Sequence, residues 1–226
     1  MGDHALSEWL ADARYPGAVS LLADVKYASA TAELSIDLTQ VSNVEFDDID
    51  ADGEVEDLTL PAWTIGMRRA AAVRKALGLG SDPLDLDERV GCHVGAIEVR
   101  AEVPVTAGFL GLGNPDRVRV ALQARHPTAR RFEVARILGD ALHHPPGDVV
   151  LPVTARRTRR QQVQRAFAQE LLCPIDGLRQ LLPLPTPRAD DLLRVADHYG
   201  VSDYTVRSAL VNRGLVSREY LPTAHA

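Results

Sequence analysis

Apolar and polar positions repeat with two different periods along the chain, and each change of period marks an element. Leu6, Trp9, Leu10 and Ala13 recur at helical spacing over residues 4–14, and Tyr15-Pro16-Gly17 closes this short amphipathic helix. A second apolar stretch follows over 18–25. Over 32–39, Leu34, Ile36 and Leu38 alternate with Glu33, Ser35 and Asp37, the period of a strand at a sheet edge or in a hairpin. Helical spacing returns over 64–77, closed by Gly78 and Gly80, with a short helix over 84–90. Strand-like runs at 93–100, 108–112 and 118–122 come next. The turn Gly113-Asn114-Pro115-Asp116 joins the last two into a hairpin. Longer helices are predicted over 128–142, broken by Pro145-Pro146-Gly147, and over about 155–172, ended by Pro174. Pro183, Pro185 and Pro187 form a linker. Beyond it, 190–199 and 203–213 read as a helix-turn-helix in which Gly200 makes the turn, Ala196 faces the second helix, and Val195, Val201, Val206 and Leu210 fill the core. Helices grouped around a small antiparallel sheet predict an α+β fold.

Composition changes this picture little, and charge changes it more. Among 226 residues, 46% hydrophobic content supports a real core in one large domain or two small ones. No apolar run approaches the roughly 18 residues needed to cross a bilayer. The first residues also lack a basic-then-apolar signal pattern, so a cytoplasmic protein without a membrane partner is expected. Cys92 and Cys173 are too few for a disulfide framework and read as core thiols. The net charge of −6 is unevenly spread: residues 1–66 hold 14 Asp and Glu against Arg14 and Lys26 alone, so the rest of the chain is net basic. The two parts attract each other.

Six of those 14 acids lie in residues 48–59. Asp48, Asp50 and Asp52, followed by Gly53 and Val55, match the first eight positions of an EF-hand loop, which needs oxygen ligands at its first, third and fifth places. Thr59 stands where the bidentate glutamate belongs, so a solvated or docking loop is expected and these aspartates remain weak calcium candidates. Arg125, Arg130, Arg131, Arg156, Arg157, Arg159, Arg160 and Arg165 form a basic region, which reads as a solvated face or a surface for the acidic N-terminal part. Aromatic interleaving of the kind single-strand binders use is missing. A duplex would meet the second helix of the helix-turn-helix through Tyr204, Thr205, Arg207, Ser208 and Asn212. Asp203, however, sits where phosphate would approach.

The helix over 132–142 has the frame of a zinc-peptidase helix with other chemistry on it. In HExxH two histidines one turn apart bind zinc, and the glutamate beside the first is the base. Here Arg136 and Asp140 hold the histidine places and Ile137 that of the base. Arginine cannot shed its proton to bind a metal, and isoleucine cannot take one from water. Downstream, Phe167-Ala168-Gln169-Glu170-Leu171-Leu172-Cys173-Pro174 resembles the FAAELLMP signature of the ImmA/IrrE metallopeptidases. Upstream, residues 72–79 and 82–86 resemble that family's first helix and the loop after it. The resemblance spans roughly residues 66–216.

That resemblance implies a zincin-like domain over 64–182, an acidic region before it over 1–63, and helix-turn-helix-like helices after it over 183–226. It places the third zinc ligand at about Gln161, again not an acid. It therefore implies a pseudo-peptidase without zinc or other cofactor. Such a protein regulates by binding a partner, such as a helix-turn-helix repressor, in the former active-site cleft. Two alternatives stay open: a DNA-binding regulator using the C-terminal helices, and a divergent zinc protease that cleaves a repressor. Asp140 with His143 and His144 is a further ligand arrangement, set against two histidines that cap a helix end. Oligomeric state is not legible. Arg136 and Asp140, at i and i+4, are expected to point into the cleft and pair, with Gln161 near them.

Overall fold

A computed structural model describes residues 2–11, 17–44, 46, 59–94, 103–111, 114, 116–144 and 147–220. Its centre is a four-stranded antiparallel sheet of β1 (Leu34–Asp37), β2 (Thr106–Phe109), β3 (Arg117–Ala121) and β4 (Val150–Val153), in the order β1-β3-β2-β4. Alternation along the strands sorts their side chains onto two faces. Ala107, Phe109, Ala121 and Val150 meet α1 (Asp3–Leu10) and α2 (Ala18–Thr31) through Trp9, Leu21, Val25 and Ala28. Ile36, Val118, Val120, Leu151 and Val153 turn the other way, into a larger core shared with α3 (Ala62–Ala76), α5 (Pro127–Ala141) and α6 (Arg159–Leu172). The register Leu34↔Val120 and Ile36↔Val118 seats an acidic-region strand on the central hairpin, so the sheet continues across residue 63.

Expected elements and found elements agree closely where periodicity is strong. The mixed α+β class, β1, β3, α3, α5 and α6 are all present, with ends shifted by a few residues. α6 begins at Arg159 rather than near 155 because Thr158 caps it, its hydroxyl accepting from the Gln161 N–H at 3.3 Å. The strand expected over 108–112 lies upstream at Thr106–Phe109. Of the strand expected over 93–100, only His93 and Val94 are among the described residues, and neither is in a strand; the rest lies outside them. β4 and α7 (Ile175–Leu181) are additions, as is the helical form of α2. α4 (Leu86–Val90) is the short helix expected near 84–90.

Two glycines set how closely the helices approach. A Cβ on Gly139 would stand 2.5 Å from the Phe167 ring, and one on Gly66 would stand 2.4 Å from the Val163 carbonyl oxygen. α5 and α3 therefore each press directly on α6. α8 (Ala189–Tyr199) and α9 (Asp203–Asn212) form the predicted helix-turn-helix around Gly200, at φ +61°, with Val195, Ala196, Val201, Val206 and Leu210 all buried. They are stitched to the body. The Tyr199 hydroxyl donates to the Ser81 carbonyl at 2.9 Å, and Arg131 donates to the carbonyls of Gly200 (3.1 Å) and Leu84 (2.9 Å).

Candidate functional site

α5 and α6 carry the residues singled out from the sequence, and their close packing buries a polar cluster between them and β4. Arg136 is 8% exposed, Asp140 6%, and Gln161 is fully buried. Nη2 of Arg136 donates to Oε1 of Gln161 (2.5 Å), the Thr154 carbonyl (2.9 Å) and Oε1 of Gln164 (3.3 Å). Both glutamines donate onward to the Pro152 carbonyl, at 3.0 and 3.1 Å, so β4 fixes their orientation. The expected approach of Arg136 to Gln161 is present.

The expected pairing of Arg136 with Asp140 is not. Asp140 is held instead by Arg160 of α6, whose Nε and Nη2 donate to both carboxylate oxygens at 2.7 to 3.1 Å. Nη1 of the same guanidinium reaches Asp148 at 2.7 Å. The physical reason is competition. A planar guanidinium arriving from a facing helix can fork onto a carboxylate, and a second carboxylate at Asp148 draws Arg160 there, while amide oxygens capture Arg136. Burial raises the Asp140 carboxyl, and Arg160 opposes that shift. Sequence reasoning placed Arg160 only in a basic face. Nothing local marks it as the partner of Asp140, because the pair is 20 residues apart.

Ile137, which the resemblance would set in the place of the base, is fully buried under the sheet, where a Cβ on Gly108 would meet its Cγ2 at 2.6 Å. It has no access to a solvent proton. His143 hydrogen-bonds the Gly139 carbonyl through Nδ1 at 3.1 Å, the end-capping role expected of it, and its ring stands edge-on to Phe46 at 4.0 Å. Burial pushes it down to about 3, with Arg69 adding to the effect. No group of three or more His, Cys, Asp and Glu among the described residues could hold a metal ion. Asp48, Asp50 and Asp52 lie outside the described residues. Cys92 and Cys173 are buried free thiols, each raised to about 12 by desolvation.

Beside the cluster lies a cavity of about 690 Å³ whose walls come from α3, α5, α6 and α9. Arg136 and Glu133 of α5 face Arg165 and Gln169 of α6, and Trp63, Phe132 and Tyr204 supply aromatic surface. Glu133, which the sequence did not single out, is tied down: its Oε2 accepts from the Thr106 hydroxyl at 3.1 Å and the Ala124 N–H at 3.4 Å. Burial raises its carboxyl above the ordinary range. Arg136 is lowered to about 10, first by burial and then by the neighbouring Arg165. Arg213 is neutralised by Glu170 at 3.2 Å.

Four of the five residues expected on the second helix of the helix-turn-helix, Tyr204, Thr205, Ser208 and Asn212, line this same cavity. The fifth, Arg207, is not among its lining residues; it pairs with Asp203 at 3.2 Å and reaches the Tyr220 carbonyl at 3.3 Å. Thr205 is buried, and Ser208 and the Thr205 carbonyl both accept from Gln169 of α6, while Tyr204 and Asn212 of the same helix stay exposed. The basic region is also partly structural, since Arg130 and Arg160 are drawn inward and Arg131 bridges α5 to the C-terminal turn. No helix among the described residues is long and apolar enough to cross a membrane. Comparison with family models, curated proteins and solved structures gives no match.

Proposed function

We propose that this protein is a non-catalytic regulator of the ImmA/IrrE type, which binds a segment of a protein partner, such as a helix-turn-helix repressor, in the cavity between α5, α6 and α9. The observation that carries this reading is the wall itself: α5, whose sequence resembles a zinc-peptidase motif helix, lines a cavity with Arg136, while the neighbouring Ile137 is sealed into the core. The packing of Gly139 on Phe167 supports it further, because these residues come from the two separate motifs that resemble the family. A cavity of this size suits a few side chains of a ligand rather than a whole folded surface.

Cleavage chemistry has no starting point in these residues. A zinc site needs thiolate, imidazole or carboxylate ligands around an open position, and Arg136, Gln161 and an Asp140 locked by Arg160 supply none that is free. Regulation then works by occupancy, with the partner sequestered or reshaped. The test has two arms on the full chain. Elemental analysis after gentle purification is expected to find far less than one zinc per chain, and a partner isolated from the native host is expected to remain intact while Trp63→Ala and Tyr204→Ala weaken its binding. Stoichiometric zinc with cleavage of that partner would establish the protease alternative instead.

A further inference from the structure

Arg136 is a buried cation with no ion pair among the described residues; Glu133 and Asp140 attract it only from a distance. All three groups that accept its hydrogen bonds are neutral, two amide oxygens and a backbone carbonyl. Its Nε is buried with no hydrogen-bond partner. Among the described residues no carboxylate forms an ion pair with it: Glu133 gives an oxygen to Thr106 and Ala124, and Asp140 belongs to Arg160. Leaving a buried charge uncompensated is costly, and structures normally avoid it. Here the cost is kept in the wall of a cavity, which is where an incoming group can remove it.

The surroundings state what that group is. Arg165 lines the same cavity, has no hydrogen bond or ion pair among the described residues, and repels Arg136. Two guanidiniums facing one space favour an anion, and the planar fork of arginine fits a carboxylate. Glu133 and Glu170 line the cavity too, the first accepting from Thr106 and Ala124 and the second paired with Arg213, and aromatic surface stands beside them: Trp63 is 52% exposed and Tyr204 57%. Gln162 and Asn212, both exposed, add amides able to bond a peptide backbone. We infer that the cavity takes an aspartate or glutamate side chain of a partner polypeptide, its carboxylate on Arg136 and Arg165 and a neighbouring apolar side chain against Trp63 and Tyr204. The inference rests on the partner-binding role of the cavity and adds the chemistry of what enters it.

Peptide selection from a random phage-displayed library on the full chain, followed by calorimetric titration of blocked synthetic peptides, tests this. Selected sequences are expected to converge on an acid beside apolar residues. Replacing that acid by its amide should weaken binding about tenfold or more, as expected for a charge-assisted contact. Arg136→Met should cost a similar factor against the acidic peptide and little against the amide peptide. Should Arg136→Met not fold, Arg165→Ala and the acid-to-amide peptide pair carry the same comparison. Amide peptides that bind as tightly as acidic ones, but still weaken with Trp63→Ala, would overturn the carboxylate inference and leave partner binding standing. Binding indifferent to Trp63→Ala, Tyr204→Ala and Arg136→Met alike would overturn both. Acetate or phosphate alone binding as well as the peptide would mark a small-anion site and overturn the polypeptide assignment.

Discussion

Arg136 and Arg160 are buried guanidiniums in one polar cluster, and they differ in what answers their charge. Arg160 is forked onto Asp140 and Asp148, and its carboxylate partners are nearly inaccessible. Arg136 meets only neutral oxygens and borders a cavity. Burial lowers the Arg136 guanidinium, whereas two carboxylates more than offset burial at Arg160 and raise it. The comparison separates a charge that holds the fold from one left available. The residue that cross-links α5 to α6 and Asp148 is Arg160, and the one that faces the cavity is Arg136.

The sharpest way to break this comparison is to remove the anion from the closed site. Asp140→Leu strands Arg160 with half of its counter-charge, and breaking a buried pair in this way costs about 3–5 kcal/mol. Urea unfolding is expected to show that loss, with the double variant Asp140→Leu/Arg160→Met less destabilised than the sum of its parts by at least about 1 kcal/mol. Additive losses would show that the clamp is not a coupled unit.

Acid gives a smaller effect that starts from a different group. His143 is neutral when folded because burial lowers it from its ordinary 6.5 to about 3. A depressed histidine favours the folded state fully above the unfolded value, and this contribution is lost as pH falls from 6.5 towards 3. Within that window the unfolded chain binds the extra proton. Melts between pH 7 and pH 5 should therefore lose up to about 1.4 kcal/mol per pH unit below 6.5. His143→Phe should flatten that slope. An unchanged slope would move the acid sensitivity to groups other than Asp140 and Glu133, whose raised carboxyls take up protons in the folded state and so gain stability as pH falls.

The smallest change is expected at the open site. Arg136→Met removes a buried charge that has no ion pair among the described residues and leaves some amide acceptors less satisfied, two effects of opposite sign, so stability should move by less than about 1 kcal/mol. A loss as large as that of Asp140→Leu would erase the distinction between the two arginines.

How much of this was legible follows from where the information lies. Periodicity along one segment locates α5, α6, α8 and α9, since each buries a stripe its own sequence displays. β4 escaped notice because Val150-Leu151-Pro152-Val153 is short and contains a proline; it is tolerated there because β4 lies at the sheet edge. α7 was missed because Pro174 reads as a stop signal for α6, and it is also the N-cap of the next helix. At the site, the inward face of Arg136, Asp140 and Gln161 follows from spacing on known frames. Their partners do not. Arg160 meets Asp140 and Asp148, and Gln164 meets Arg136, through a tertiary approach set by Gly139 against Phe167, which no local rule weighs against an i, i+4 pair.

The bond from Tyr199 to Ser81 and the bridge from Arg131 to Gly200 carry a consequence for motion. They add to the bonds of Gln169 to α9 and to the place of Leu192, Val195, Val206 and Leu210 in the main core, so an opening of this end as a unit would have to break all of these together. Opening it takes away the α9 wall of the cavity, and a ligand resting on Tyr204 and Arg136 together spans the line along which the chain would part. Occupancy and opening then exclude each other. If the proposed partner binds, the amides of α8 and α9 are where it would be felt as slowed hydrogen exchange, far along the chain from the helix that carries the guanidinium.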